Sequence, residues 1–215
     1  MKTNRTELVF ILDRSGSMSG LESDTIGGFN SMLEKQKKEK GEAVVTTVLF
    51  DHAYELLHDR FDINNVKPVS NNDYFVRGST ALLDAVGKTI SKIANVQRNA
   101  GEGEQADKVM FVIITDGLEN ASHEYSYLQI KKIIQLEKEV YGWEFIFLGA
   151  NIDAEEVAGR YGINADRAVN YHADSEGLKH SYESVNDAII DVRYCREISP
   201  GWKKKAEKDF QERGK

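Results

Sequence analysis

Five oxygen-bearing side chains stand out by type and placement. The apolar run Val9 to Leu12 ends at Asp13, and Ser15 and Ser17 follow with Gly16 between them and Gly20 just after. A second apolar run, Val109 to Ile114, ends in Thr115-Asp116-Gly117. Thr80 closes Arg77-Gly78-Ser79-Thr80, at the mouth of a long polar stretch. Brought together, two carboxylates repel each other unless a proton or a cation intervenes. The three hydroxyls supply neutral oxygens. Hard oxygen donors without His or Cys suit Mg²⁺, Mn²⁺ or Ca²⁺ rather than zinc. With only two charged ligands, such a cation keeps positive character and an open position, which an Asp or Glu carboxylate from a partner protein can complete.

The elements that must position these residues alternate between strand and helix. Leu8 to Leu12 is a short continuous apolar run, as in a strand covered on both faces. Gly20 to Lys38 reads as a helix with Ile26, Phe29, Met32 and Leu33 inward. Ala43 to Phe50 and Tyr54 to Phe61 read as strands, and the three-residue link between them forces an antiparallel hairpin. Asn64 to Ser79 is a long polar loop of the kind that is usually functional or mobile. Thr80 to Val96 places Leu82, Val86, Ile90 and Ile93 on one helical face, and Asn99 to Asp107 is a Gly/Glu connection. Val109 to Ile114 is the most strand-like run. Tyr125 to Tyr141 follows as a helix with Ile130, Ile133, Ile134 and Val140 inward. Phe145 to Leu148 is another strand, Ala154 to Tyr161 a short helix ended by Gly162, and Ala168 to Tyr171 a weak last strand. Leu178, Tyr182, Val185, Ile189 and Val192 mark the last long helix. Strands alternating with helices give a three-layer α/β/α, Rossmann-like sandwich with a mostly parallel sheet. Sites in such sheets lie beyond the strand C-termini where the strand order reverses. If the order is 3-2-1-4-5-6, the first and fourth strands are neighbours there, and Asp13 and Asp116 fall side by side.

Asp13-x-Ser15-x-Ser17, Thr80 within Gly-Ser-Thr-Ala-Leu-x-Asp-Ala, and Thr115-Asp116-Gly117 after an apolar strand together resemble the von Willebrand factor type A (vWA) domain and its metal-ion-dependent adhesion site (MIDAS). The resemblance runs from about Thr6 to Tyr194. It implies a six-stranded sheet with one antiparallel edge strand. It also implies that Ser15, Ser17 and Thr80 contact the metal directly, while Asp13 and Asp116 supply charge largely through waters, one of them able to switch to direct contact. Glu22 and Asp24 do not match the spacing of the paired acids that integrin β-like relatives add for a second adjacent metal.

Among 215 residues, Lys+Arg 28 against Asp+Glu 35 gives a net charge of −7, and 40% are hydrophobic. This is enough apolar content for a core, and an acidic balance that repels phosphate backbones and argues against nucleic-acid binding. Residues 1–198 read as a single domain, and 199–215, beyond Ser199-Pro200-Gly201, as a charged tail, a solvated helix or frayed end that Trp202 could anchor. The lone Cys195 excludes an internal disulfide, fits a reducing compartment, and by its helical position reads as a packed thiol. The first apolar run is too short for a signal peptide and nothing resembles a membrane span, so the sequons at Asn4 and Asn120 read as chance and the expected location is cytoplasmic, in a bacterium or phage.

Bland roles are assigned to the rest. Asp84 caps or supports, and Glu119 is a solvated loop acid. The five histidines, at 52, 58, 123, 172 and 180, are surface groups without ligand spacing. Trp143 packs at a strand start. Tyr125 and Tyr127 are core or, if exposed at the rim, contact anchors.

The expected function is a metal-dependent protein-binding module that grips an acidic residue of a partner, by resemblance within an ATPase-chaperone or stress-response complex. The long loop is expected to shift as the partner binds. The alternatives are a Mg²⁺-dependent phosphatase-like hydrolase and a structural domain whose crevice holds no metal. Catalysis is not expected. The haloacid-dehalogenase phosphatases need an acid two residues after the nucleophilic aspartate, where Ser15 stands, and there is no phosphate loop or dinucleotide fingerprint.

Overall fold

The computed structural model describes residues 4–101 and 103–214. The ends of the two ranges above, 1–3 and 215, and residue 102 in the Gly/Glu connection lie outside the described residues. Six strands, β1 (Arg5–Asp13), β2 (Glu42–Phe50), β3 (Tyr54–Asp62), β4 (Lys108–Thr115), β5 (Glu144–Gly149) and β6 (Ala168–Asn170), form one sheet in the order β3-β2-β1-β4-β5-β6. All pairings are parallel except β2 with β3. The antiparallel edge follows from the link at Asp51-His52-Ala53, which is too short for a crossover.

Alternation along β1 divides the core in two. Leu8, Phe10 and Leu12 face α1 (Glu22–Gln36), α5 (Ser175–Arg193) and α6 (Lys204–Arg213), while Val9 and Ile11 face α2 (Leu82–Asn99), α3 (Tyr127–Tyr141) and α4 (Ala154–Tyr161). All of Thr6 to Asp13 is buried, which is why β1 reads as a continuous apolar run rather than an alternating one. Local chemistry sets the helix ends. A Ser126/Gln129 capping box opens α3, Asp153 and Asp174 accept backbone N–H bonds at the starts of α4 and α5, and Gly142 and Gly162, both left-handed, close α3 and α4.

Four expectations need correction. Val140 is exposed, and Glu137 takes the buried position in the last turns of α3, where Arg98 pairs with it at 2.5 Å. Cys195 is exposed rather than packed, because it sits past the end of α5 in a left-handed conformation. The polar loop carries a 3₁₀ turn at Ile63–Asn65 and buries Val66, Val69 and Tyr74. The charged tail is neither frayed nor wholly solvated: it forms α6, docked on α5 and β6 through Ala206 and, as expected, through Trp202, whose indole N–H donates to the Asp166 carbonyl at 2.9 Å. Among the described residues no helix is long and apolar enough to cross a membrane.

Candidate metal centre

β1 and β4 are paired, with Leu12 opposite Ile114, so Asp13 and the Thr115-Asp116 step emerge together at the strand C-termini. There the Thr115 hydroxyl donates to Asp13 Oδ2 at 2.6 Å, and the Ser15 N–H donates to Asp13 Oδ1 at 2.7 Å. Ser15 Oγ lies 3.1 Å from Ser17 Oγ, and the Thr80 hydroxyl donates to Ser15 Oγ at 3.0 Å. The three hydroxyls from two distant segments therefore form one chain. Gly117 completes the cradle, since a Cβ there would stand 3.4 Å from Ser17 Oγ and 4.0 Å from Thr80 Oγ1. A side chain at 117 would fill the space into which those hydroxyls point.

Neighbouring elements hold the parts in place. Thr80 N donates to Asn120 Oδ1 at 2.9 Å and the Thr80 carbonyl accepts from Asn120 N at 3.0 Å, joining the Thr80 loop to the loop after β4. Tyr74, buried within the long loop, donates its hydroxyl to the Asp13 carbonyl at 2.5 Å. Asn151, just past β5, donates to Asp116 Oδ1.

The electrostatics are those of charge without a counterion. Burial pushes Asp13 above the ordinary carboxylate value, against the bonds from Thr115 and Ser15. Burial likewise raises Asp116, Asn151 opposes that, and the Asp13 charge adds to it. The side-chain donors to both acids are neutral. Beside them the contrast is immediate: Asp51 accepts from Arg14 Nε at 2.9 Å and from Arg77 Nε at 2.7 Å, and Arg14 also reaches Glu55 at 2.6 Å.

All five residues singled out in the sequence thus converge on one crevice. Thr115, Asn151, Tyr74 and Asn120 were missed. Asn151 carries a usable signal, since it follows the strand next to β4 and so falls at the same end of the sheet. Asp84 has a capping role, accepting from the backbone N–H groups of His123, Glu124 and Tyr125. Glu119 is not a solvated acid. It accepts from Leu83 N, Ala121 N and Ser122 N and ties the loop to the start of α2. His58 is buried rather than on the surface. Tyr125 lies against Gly87 and Tyr127 stacks on Tyr161, so both belong to packing and not to a contact rim.

No family model matches the chain, and no curated protein does. Solved structures do. Proximal thread matrix protein 1 from the mussel byssus aligns with a TM-score of 0.57 at 14% identity, over 86% of this chain and 46% of that one. The same mussel protein is known with a zinc-occupied MIDAS motif. A variant of the PilB minor pilin from Streptococcus sanguinis aligns with a TM-score of 0.61 at 12% identity, over 89% and 63%. The ArnB paralog VWA2 from Sulfolobus acidocaldarius gives 0.51 at 17% identity, over 89% and 45%. The chain spans about half the length of most of these structures, from 45% to 63%. The fold is vWA-like: a six-stranded sheet with one antiparallel edge strand between two helical layers.

The donor set fits a hard divalent cation. Two buried carboxyls raised by desolvation, three hydroxyls linked through Ser15 and a glycine-walled space offer oxygens only.

Proposed function

We propose that the chain is a metal-dependent protein-binding module. Asp13, Ser15, Ser17, Thr80 and Asp116 hold a divalent cation, Mg²⁺ before Mn²⁺ or Ca²⁺, and a carboxylate from an Asp or Glu of a protein partner completes its coordination. The cation supplies a positive point charge with a replaceable ligand. The chain's own residues set its strength. The three hydroxyls are neutral, and with the two carboxylates acting largely through waters the cation's direct shell carries little negative charge, so it stays electrophilic toward an external acid. Thr115 and Asn151 hold the two carboxylates in place, Tyr74 fixes the end of β1 at Asp13, and Asn120 fixes the loop that carries Thr80.

The observation that carries this reading is the convergence of three hydroxyls on two buried acids whose side-chain donors are all neutral. Catalysis is not part of it. The residue two after Asp13 is Ser15, whose hydroxyl is engaged with Ser17 and Thr80, and no general acid takes that place. A partner within a cytoplasmic complex is the setting proposed, and the loop through Ser79 is the segment proposed to shift when it binds.

Capture from host lysate in Mg²⁺ and in EDTA, with Thr80→Ala as the control, tests the reading. A partner retained only with metal, only by the unaltered chain, and released by free carboxylate is the expected result. Equal retention in EDTA, or by Thr80→Ala, overturns it.

A further inference from the structure

A second group of ligating side chains, none of them shared with the first centre, lies where α6 meets the first turns of α5. Glu176 and His180 are four residues apart on α5 and so share a face. Asp209 reaches them from α6. One ligand atom from each of the three lies within 4.8 Å of the others. A tetrahedral zinc with legs of about 2.0–2.2 Å spaces its ligands about 3.4 Å apart, so side-chain rotation of roughly 1.4 Å or less closes the set. The donors differ in kind from the first centre. An imidazole with two carboxylates suits a borderline cation of the zinc class, whereas Mg²⁺ favours an all-oxygen shell.

A separate observation concerns the histidine. His180 Nδ1 is buried and has no hydrogen-bond partner, and the Glu183 carboxylate stands 3.8 Å from it. Nε2, on the other side of the ring, faces Glu176 at 3.8 Å. A proton on Nδ1 directed at Glu183 leaves the Nε2 lone pair aimed at the cluster. Metal-bound histidines are oriented by such a carboxylate behind the ring. Arg213 fills the remaining space. Its guanidinium lies 2.7 Å from Asp209 and 3.8 Å from Glu176, and it also forks onto Asp174 at 2.7 and 3.1 Å. A cation arriving at Asp209 and Glu176 displaces Arg213 from those two acids while the fork on Asp174 can persist.

We infer that Glu176, His180 and Asp209 form a second divalent-cation site of the zinc class, which clips α6 onto α5, with Arg213 as its internal competitor. The inference does not rest on the first site or on the partner reading.

Cobalt reports it directly. The whole chain is titrated with Co²⁺ in millimolar Mg²⁺, and the visible d–d absorption of tetrahedral cobalt is followed. The expected result is a saturating band that Zn²⁺ abolishes. It disappears in His180→Ala and in Glu176→Gln, tightens severalfold in Arg213→Gln, and persists in Thr80→Ala. Glu176 is exposed, so its substitution leaves the packing of α5 intact, and circular dichroism of the metal-free variants verifies their fold. Absence of the band in the unaltered chain, its survival in either His180→Ala or Glu176→Gln, or its loss in Thr80→Ala overturns the inference.

Discussion

Two buried acid clusters sit side by side at the top of the sheet and are built on opposite terms. Asp13 ends β1, and Asp51 follows β2, its neighbour. Both side chains are removed from solvent. Asp51 is neutralised within the chain. Burial pushes it up, but the Arg77 bond, the Ala53 N–H and Arg14 together outweigh that, and it settles below the ordinary carboxylate value. Asp13 and Asp116 receive only neutral side-chain donors and are raised. Arg14 makes the difference plain. It is adjacent to Asp13 in sequence, yet successive side chains on an extended chain point to opposite sides, and its guanidinium serves Asp51 and Glu55 instead. A positive charge within reach is directed away from the hydroxyl-lined crevice. One cluster is a finished internal ion pair that staples the Thr80 loop. The other is left with negative charge that a cation from outside can satisfy.

The largest effect expected is at the finished cluster. Arg14→Met removes the fully buried cation paired with Asp51, and breaking a buried pair costs about 3–5 kcal/mol. Urea unfolding at neutral pH reads this. A loss below about 1 kcal/mol, the surface-pair range, would show that the two clusters are not electrostatically distinct.

Next in size is the response of the unfinished cluster to metal. A cation that binds only the folded chain stabilises it by about 2.7 kcal/mol at a hundredfold excess over Kd. Thermal unfolding with and without Mg²⁺ is expected to show this rise in the unaltered chain and in Arg77→Gln, and to lose it in Asp13→Asn and Asp116→Asn. A rise that persists in both Asn variants removes the first centre from the assignment.

A smaller effect has opposite signs at the two clusters. In metal-free buffer, Asp13→Asn removes a buried charge that has no counterion and is expected to stabilise the chain by about 0.5–2 kcal/mol, as substitutions that relieve a functional site commonly do. The same change at Asp51 leaves Arg14 and Arg77 to share the half-exposed Glu55 and is expected to destabilise. Equal signs would erase the contrast.

Legibility in the sequence followed the same division. The strands and most of the helices could be read because each has a period or a continuous apolar run, and β1 is as continuous as a strand covered on both sides should be, whereas the strand order entered only as the common order of such sheets, since no period encodes it. The five-residue constellation was legible because its members sit at or just after the ends of β1 and β4 and just before α2, at the end of the sheet where such crevices form. What could not be read depends on side-chain reach. Arg14 bypasses its neighbour, Tyr74 inserts from an aperiodic loop, and Glu137 is buried because Arg98 on another helix meets it. For the tail, a helix and the Trp202 anchor were legible, but the docking of α6 escaped for a compositional reason. Most of α6 is charged, and only Trp202, Ala206 and Phe210, spaced four apart, mark the face it lays on the domain. His180 likewise has no partner at ligand spacing among the histidines, and its companions are acids, one of them from that same helix.

The smallest effect sharpens the comparison through acid. A carboxyl held below its unfolded value binds its proton less readily when folded, so the unfolded chain takes up protons first as pH falls. The contribution of Asp51 is therefore fully present above its unfolded value of 3.8 and is lost as pH drops through the lower folded value. Other lowered acids, Asp84 and Asp174 among them, titrate in the same window, so the total acid slope does not isolate one residue. Arg77→Gln does, because the Arg77 hydrogen bond is the largest of the influences that lower Asp51. Subtracting the unfolding midpoints of Arg77→Gln from those of the unaltered chain, between about pH 5 and pH 3, should leave a difference that is constant at the upper end and shrinks toward acid. Because Arg77 is largely solvent-facing, the whole difference is small. A difference that stays flat across the window would mean that Arg77 does not hold Asp51 down, and that the neutralised cluster owes its character to Arg14 and the Ala53 N–H.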